Sequence, residues 1–267
     1  MCRLLGIVAS EPTPFRMSLR EAPRSLAALS REHRDGWGVA VYDDRSGWLV
    51  ERGTLCAHDD HGFHEVAGGS VGEVLVAHVR KRTVGAVTLS NTHPFASDGW
   101  VFAHNGTIHD LDWLRQRTLP ERAAALRGET DSELLFAFLL SRLSGSNRTG
   151  SATSDAYDDA LRAATAELLS RDGLGSCTFL LSNGQTLYAL RSGRTLFSLE
   201  RVPGDEVRTE RAAAETATVI QTGWSSARHA ILLASAAITD EPWREVPEGV
   251  LVRIDRSPTP RWRHLPL

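Results

Sequence analysis

The chain has few cysteines and no long apolar run, and both shortages narrow its class. Its 267 residues include three cysteines, Cys2, Cys56 and Cys177, which are too few and too widely spaced for a disulfide framework or a CxxC redox or zinc motif. No stretch of about 18 apolar residues occurs, so no membrane span is expected. The apolar segment near the N-terminus is too short for a signal peptide. We therefore expect a protein of the cytoplasm.

The chain also lacks an excess of positive charge. Its 30 Lys and Arg residues stand against 33 Asp and Glu residues, and the formal net charge is −3. Nucleic-acid binding depends on clustered positive charge, which this balance does not supply. No GxGxxG or GxxxxGK[ST] motif occurs, so the usual cradle for a dinucleotide or a triphosphate is missing. We expect no nucleic-acid partner and no cofactor.

What is present is the composition of a soluble globular protein, with 42% hydrophobic and 24% charged residues. The length corresponds to roughly one to two domains. The best linker candidate is the Gly- and Ser-rich segment 144–154, but its flanks do not divide the chain into separate units. We predict a single domain over 1–267, with an irregular tail from about residue 257 because two prolines follow there.

Apolar periodicity predicts groups of strands and helices that do not strictly alternate. Strands are predicted at 4–9, 37–42, 47–52, 74–79, 100–104, 177–181, 186–190, 195–199, 216–222 and 250–254. The three at 177–181, 186–190 and 195–199 are expected to form a meander, with turns at Asn183-Gly184 and Gly193. Helices are predicted at 18–31, 110–117, from 131, and at 157–169. Prolines at 12 and 14 are expected to end the first strand, and Ser18 with Glu21 to cap the first helix. This order favours an α+β fold with antiparallel sheets.

Cys2 is the residue with the most distinctive chemistry. Methionine aminopeptidases remove Met1 before a small side chain, and we expect that step here. The new terminal residue would then carry a thiol with a reference pKa near 8.5 and an α-amino group near 7.7 to 8.0, a nucleophile and a base in one residue. A lone cysteine at this position is more often a small buried residue at a strand start. The position alone leaves both interpretations open.

Five polar segments follow Cys2, each beside the end of an apolar run: 32–38, 80–85, 91–95, 104–106 and 128–133. Each of them also has a simple structural interpretation. The Asp-Gly-Trp-Gly stretch is typical of a tight turn, Arg80 of a solvated arginine, and Asn105-Gly106 of a hairpin turn. Thr130 or Asp131 is typical of a helix N-cap.

Taken in this order behind Cys2, the five segments resemble the class II glutamine amidotransferases, whose glutaminase domain is an N-terminal-nucleophile (Ntn) hydrolase. The resemblance starts at the Cys-Arg-Leu-Leu-Gly opening and continues, more weakly, to Ala234-Ser235 and Thr239-Asp240-Glu241-Pro242-Trp243. It implies a four-layer αββα sandwich, with two antiparallel sheets between helices. That architecture agrees with the α+β pattern.

The resemblance implies a nucleophile and an oxyanion site. Cys2 would attack the side-chain amide of glutamine, with its own α-amino group transferring the proton, and form a γ-glutamyl thioester with release of ammonia. The side-chain amide of Asn105 and the backbone N–H of Gly106 would stabilise the tetrahedral oxyanion. Water would then release glutamate.

The resemblance also implies a binding site for the zwitterionic end of the substrate. Arg80 would pair with the α-carboxylate, Thr83 would support it, and Asp131 would receive the α-ammonium. His93 and Trp37 would shape the pocket without a proton-transfer role. One fixed cation and one fixed anion match the two charges of a free glutamyl end.

Three further features receive structural interpretations. His58, His61 and His64 are close in sequence, but no second cluster of ligands follows, so we expect a polar loop and no metal. Cys177 is expected to be an inert core residue. Lys81 stands where many members of the family carry an aromatic residue, which makes the contacts of the adjoining loop a point of divergence.

Three functions remain open at this stage. The first is a glutaminase that passes ammonia to a separate acceptor enzyme, because residues beyond 150 contain no phosphate-binding loop of a synthase. The second is an amidohydrolase that cleaves a γ-glutamyl bond in a small thiol-derived conjugate, as the related enzyme of ergothioneine biosynthesis does. The third is a non-catalytic glutamine-binding or scaffold protein, which would need the fold but not the set of site residues.

Overall fold

The computed structural model describes residues 2–146, 154–204 and 227–267. The strands within these ranges are β1 (Arg3–Pro14), β2 (Trp37–Asp43), β3 (Gly47–Gly53), β4 (Val71–Val79), β5 (Phe95–Ser97), β6 (Trp100–Ile108), β7 (Gly175–Ser182), β8 (Thr186–Leu190), β9 (Phe197–Arg201), β10 (Ala230–Ala234), β11 (Arg244–Glu245), β12 (Leu251–Asp255) and β13 (Arg261–Leu265). The helices are a π-helix (Met17–Glu21), α1 (Leu26–Ser30), α2 (His61–Gly69), a 3-10 turn (Leu89–Asn91), α3 (Leu111–Gln116), α4 (Pro120–Ala124), α5 (Asp131–Ser146) and α6 (Ser154–Leu169).

The described strands form two sheets in which every pair is antiparallel. Sheet A has the order β11-β9-β10-β1-β4-β2-β3, and sheet B has the order β13-β12-β8-β7-β6-β5. β1 lies at the centre of sheet A, between β10 and β4. The α+β prediction with antiparallel sheets is confirmed.

Strand alternation separates three apolar layers. Leu4 of β1 lies in the layer between the sheets, together with Ala103 of β6. The next residue, Leu5, faces the other side of sheet A and belongs to the layer that contains Phe63 of α2. Phe102 of β6 faces the outer side of sheet B and packs in the layer that α5 and α6 cover. The order is therefore helices, sheet, sheet, helices, the αββα sandwich that the resemblance implies.

The first strand is longer than predicted. It continues through Pro12 to Pro14, with Thr13 paired to Gly72 of β4 after a shift of register that begins at Val8. Proline removes a backbone donor but is compatible with a strand where the pairing is irregular. The prediction that the prolines end this strand is wrong.

The helix predicted at 18–31 is also wrong, because it is divided at Pro23. Ala22 ends the π-helix with an extended backbone, with ψ at 148°. The residue before a proline is disfavoured in the helical region, which explains the break. α1 begins again after Ser25, whose side chain accepts a hydrogen bond from the N–H of Ala28. Ser18 caps no helix.

Predictions elsewhere are largely confirmed, with three corrections. The strands predicted at 195–199 and 177–190 do not form one meander, since β9 pairs with β10 in sheet A whereas β7 and β8 belong to sheet B. The irregular tail expected from about 257 is wrong, because β13 pairs with β12 along its whole length. The loop expected around His64 is wrong, since α2 begins at His61. The predicted strand at 216–222 and most of the linker candidate lie outside the described residues.

Gly38 of β2 marks a close approach between two segments of backbone. A Cβ atom at this position would overlap the carbonyl oxygen of His93 and lie 2.8 Å from Cδ of Pro94. The absence of a side chain on β2 therefore lets the 91–95 segment lie directly against sheet A.

We expect Gly38→Ala to lower the free energy of unfolding by about 1–3 kcal/mol, because the new methyl group forces the backbone of His93 away from the sheet. Urea denaturation measures the change. Gly69→Ala at the end of α2 is the matched control, since nothing lies within 4 Å of its Cβ position. Equal effects of the two substitutions would contradict the close-approach argument.

Candidate active site

The thiol of Cys2 lies at the entrance to the layer between the sheets. Cys2 directly precedes β1 and alternates with Leu4, so both side chains belong to the face of sheet A that is turned to sheet B. Its Sγ accepts a hydrogen bond from the N–H of Lys81 at 3.3 Å and donates to the Lys81 carbonyl at 3.4 Å. The backbone of one residue thus contacts both the thiol proton and the sulfur lone pairs.

The surroundings of Cys2 favour the neutral thiol at rest. Burial raises the pKa of the Cys2 thiol, and the Lys81 N–H and the positive charge of Arg80 oppose that rise. The negative charge of Asp131 adds to the rise. A base is therefore needed to form the thiolate, and the Lys81 N–H is placed to stabilise it once formed.

Arg80 follows β4 and is 3% exposed. Its guanidinium donates to the carbonyl of Ala86 at 2.9 Å and to that of Val84 at 2.8 Å. These bonds use two of the five N–H donors of the side chain. Arg80 therefore holds the 81–88 loop against the end of β4 and keeps its charge beside the thiol of Cys2.

Asp131 is the first residue of α5 and is 5% exposed. Its Oδ2 accepts a hydrogen bond from the N–H of Ile108, at the end of β6, at 2.7 Å. Of the two predicted caps, Thr130 and Asp131, it is Thr130 that caps this helix, with its Oγ1 accepting from the N–H of Glu133 at 3.2 Å. Since Thr130 caps the helix, the carboxylate of Asp131 is turned to β6 and to the electrostatic surroundings of Cys2.

Asn105 and Gly106 lie inside β6, where they pair with Thr178 and Cys177 of β7. They are not the hairpin turn that the dipeptide alone favours. Asn105 alternates with Ala103, so its side chain is on the face of sheet B that is turned to sheet A. Cys2 lies on the opposing face, that of sheet A. At Gly106 a Cβ atom would overlap the carbonyl of Ser176, so the close pairing of β6 with β7 requires glycine.

His104 joins three elements on the opposite face of β6. Its Nε2 lies 3.0 Å from the carbonyl of Ser176, which can only accept, so Nε2 carries the proton. Nδ1 then accepts from the Ser132 hydroxyl of α5 at 2.8 Å. Burial lowers the pKa of His104, and the nearby Asp131 opposes that shift. The neutral imidazole fixes the start of α5 against sheet B.

Asn91 connects the loop beside Arg80 with the segment before α5. Its Nδ2 donates to the carbonyl of Ala86 at 3.1 Å, and its Oδ1 accepts from the N–H of Glu129 at 2.8 Å. Asn91 is 2% exposed. Asn91 belongs to the polar segment 91–95, but its sequence neighbours do not indicate that it joins the 81–88 loop to the segment before α5.

A pair of neutral histidines lies behind the site. The rings of His78 and His93 are 4.3 Å apart between centroids, and both side chains are buried. Burial lowers the pKa of His78 to about 3 and that of His93 well below its usual value. His93 also contacts Phe95, at 4.5 Å between ring centroids. His93 is thus a buried wall of the inter-sheet layer.

One of the predicted site residues is not brought to the thiol. Trp37 pairs with Val79, one residue before Arg80, and lies on the helix face of sheet A, where it packs edge-on against Phe63. Its Nε1 donates to Oδ2 of Asp60 at 2.7 Å. The expectation that Trp37 lines the pocket is therefore corrected, since strand alternation places it on the opposite face. Thr83 is exposed on the 81–88 loop.

His33 is a residue near the site that sequence reasoning missed. It is 3% exposed, and its ring nitrogens have no partner within the part of the chain that the structure describes. Burial, together with the positive charges of Arg3 and Lys81, lowers its pKa to about 4. Its place beside Asp-Gly-Trp-Gly was the available signal, but that segment also fits a turn.

The histidines of the segment 58–64, at the start of α2, contact other protein groups. Nε2 of His58 lies 3.0 Å from the guanidinium of Arg31, and Nε2 of His64 lies 2.8 Å from the His58 carbonyl. Within the described ranges, no group of three or more His, Cys, Asp or Glu residues is arranged to hold a metal ion.

No helix in those ranges is long and apolar enough to cross a membrane.

Comparisons with known proteins identify the family of the chain. A family model for class II glutamine amidotransferases matches residues 1–260. A Haemophilus influenzae relative, named as a candidate glutamine amidotransferase, is 30% identical over 208 residues, 76% of this chain and 67% of that protein. The γ-glutamyl-hercynylcysteine sulfoxide hydrolase of Mycobacterium tuberculosis is 26% identical over an alignment of 275 positions, which covers 98% of this chain and 100% of that protein.

Among solved structures, the glutamine phosphoribosylpyrophosphate amidotransferase of B. subtilis aligns with a TM-score of 0.63 and 18% identity, covering 99% of this chain and 49% of that one. Two stacked antiparallel sheets between helices, with a cysteine at the start of the central strand, define an Ntn-type fold. The chain belongs to the class II glutamine amidotransferases.

We expect the stability to fall as the pH falls below about 6.5, the usual pKa of an unfolded histidine. The native pKa of His78 is about 3, so the unfolded chain binds the proton more tightly across this window. His78 alone should contribute about 2 kcal/mol of the loss between pH 8 and pH 5, as measured by urea denaturation at both values.

His78→Phe should remove that part of the pH dependence, because the ring that resists protonation is gone. His61→Phe is the control, since the His61 side chain is 87% exposed. An unchanged loss of stability at pH 5 in His78→Phe would contradict the assignment.

Proposed function

We propose that this protein hydrolyses the side-chain amide of a γ-glutamyl substrate with the thiol of Cys2 as the nucleophile. The observation that carries the proposal is the position of Cys2: its Sγ is hydrogen-bonded to the backbone of Lys81, next to the buried cation Arg80, and the buried anion Asp131 also acts on the thiol. These are the charges that recognise the carboxylate and the ammonium of a glutamyl end. Membership of the family supports this chemistry.

The proposed reaction begins after removal of Met1. The α-amino group of Cys2, directly or through a water, accepts the thiol proton, and the sulfur attacks the amide carbon. The Asn105 amide and the Gly106 N–H stabilise the oxyanion, and the amine leaves with the proton carried by the α-amino group. The thioester is then hydrolysed by water, which yields glutamate and restores the thiol.

The binding roles are argued from the contacts of Arg80 and Asp131. Arg80 holds the Val84 and Ala86 carbonyls, so a carboxylate on its remaining N–H groups would share a guanidinium that is already oriented. Oδ2 of Asp131 holds the Ile108 N–H, and we assign Oδ1 to the substrate ammonium. Thr83, on the same loop, is assigned to the carboxylate side, and His93 to the wall behind it.

L-glutamine is the first candidate substrate, with ammonia passed to a separate acceptor enzyme. A γ-glutamyl conjugate is the second, and one observation favours it: the match to the γ-glutamyl-hercynylcysteine sulfoxide hydrolase covers 98% of this chain and all of that protein. By contrast, the glutamine–fructose-6-phosphate aminotransferase of Rhizobium meliloti is matched over only 22% of its length. Both reactions use the same glutamyl site and differ in the leaving group.

We expect Cys2→Ala to lower glutamate release to below about 0.1% of the wild-type rate, with the fold intact, because no other group can form the thioester. The assay compares L-glutamine with a γ-glutamyl thioether conjugate, using protein whose loss of Met1 is confirmed by intact mass. Cys56→Ala is the control, since that thiol is buried against Ser30.

Faster turnover of glutamine would assign the glutaminase, and faster turnover of the conjugate would assign the amidohydrolase. Full activity of Cys2→Ala would overturn the mechanism. No turnover of either compound by wild-type protein that has lost Met1 would overturn the proposal in favour of a binding protein.

We expect Asp131→Asn to raise KM about 10- to 100-fold with a smaller change in kcat, because it removes one charge-assisted hydrogen bond to the substrate ammonium. Asparagine keeps an oxygen that can accept from the Ile108 N–H, so the start of α5 is retained. Steady-state kinetics on the preferred substrate test this. A KM within twofold of the wild-type value would show that Asp131 does not bind the ammonium.

A further inference from the structure

A second cavity lies apart from Cys2, between the edge strands β3 and β5 and the helices α4 and α5. Its volume is about 280 Å³, which is at the lower end for small-molecule sites. None of the proposed catalytic residues lines it. Its walls combine an apolar floor with a cationic rim, formed by Phe95, Leu126, Phe136 and Leu140 and by Arg52 and Arg127.

The guanidinium of Arg52 is held in a fixed position at this rim. It donates to the carbonyls of Leu89 and Thr92, both at 3.2 Å. Burial lowers the pKa of Arg52, the positive charge of Arg127 lowers it further, and the negative charge of Glu133 opposes that shift. Arg52 and Arg127 both line the cavity, and an anion bound between them would reduce the repulsion between their charges.

The carboxylates near the cavity do not remove this excess of positive charge. Glu133 lines the cavity and offsets only one of the two positive charges of Arg52 and Arg127, and its two oxygens accept from the backbone N–H groups of Arg127 and Gly128, at 2.9 and 2.7 Å. Arg122 also lines it and is ion-paired with Asp98. Within the described part of the chain, neither Arg52 nor Arg127 has a carboxylate within 4.0 Å of its guanidinium.

We propose that this cavity binds a small organic anion, with an apolar body on the aromatic and aliphatic floor and a carboxylate between Arg52 and Arg127. The floor excludes a purely inorganic ion as the best occupant, because such an ion would leave the apolar surface uncovered. The rim excludes a neutral ligand as the best occupant, because its net positive charge would stay unmatched. This inference does not depend on the proposed glutamyl chemistry.

The cavity adjoins the backbone that carries Asp131. Ser90 lines it, and the neighbouring Asn91 binds both the Glu129 N–H and the Ala86 carbonyl. Glu133 lines it and holds the N–H groups of residues 127 and 128. An occupant would therefore contact the segment that precedes α5.

Binding of naphthalene-2-carboxylate, measured by isothermal titration calorimetry, tests the proposal. We expect saturable binding to the wild-type protein, about tenfold weaker binding to Arg127→Gln, and loss of binding in Ala125→Trp, whose new ring would fill the cavity mouth. Arg115→Gln is the matched control, because it removes an exposed arginine on α3 that does not line the cavity. Circular dichroism confirms that each variant is folded.

Two further probes separate the charge from the apolar body. Naphthalene-2-carboxamide keeps the ring and loses the charge, and inorganic phosphate keeps a charge and loses the ring. We expect both to bind at least about tenfold more weakly than the carboxylate. No saturable binding of the carboxylate to folded wild-type protein, equal binding of either probe, or an equal effect of Arg115→Gln and Arg127→Gln would each overturn the proposal.

Discussion

The antiparallel pairing of β1 with β4 is the constraint on which the candidate active site depends. Arg3 lies opposite Val79 in this pair, so Cys2, which precedes β1, and Arg80, which follows β4, lie at the same end of these two strands. Side chains alternate between the faces of a strand, and both of these belong to the face turned to sheet B. A slip of the register by one residue would move one of them to the helix face. The electrostatic contact between the thiol and the guanidinium would then be lost.

The layer between the sheets changes character along its length. It is apolar around Leu4 and Ala103 and becomes polar toward Cys2, where His78, His93 and Asn105 are buried. Burying polar groups costs free energy, and a neutral imidazole costs less than a charged one. Polarity at this end of the layer opposes stability but provides the environment that the proposed zwitterionic substrate needs. The apolar remainder of the layer offsets that cost.

Short-range patterns predicted the elements whose environment is uniform. The strands at 37–42, 47–52 and 186–190 were predicted almost to the residue, because Val, Leu and aromatic side chains between turn residues leave few alternatives. Predictions failed where a distant partner decides. Asn105-Gly106 favours a turn locally, but pairing with β7 keeps both residues in a strand. β9 has the same strand pattern as β7 and β8, which precede it in the chain and lie in sheet B, yet it pairs with β10 in sheet A.

The sequence by itself determined the class of fold, the family and the set of residue types that the chemistry requires, because these depend on composition, periodicity and the order of motifs. The tertiary structure alone decided which of those side chains meet. It separated Trp37 from the thiol by strand alternation and surrounded Cys2 with the backbone of Lys81. It also joined two loops through Asn91 and placed Arg52 and Arg127 at the rim of one cavity. Such meetings depend on the register and stacking of the sheets, to which residues far apart in the chain contribute together.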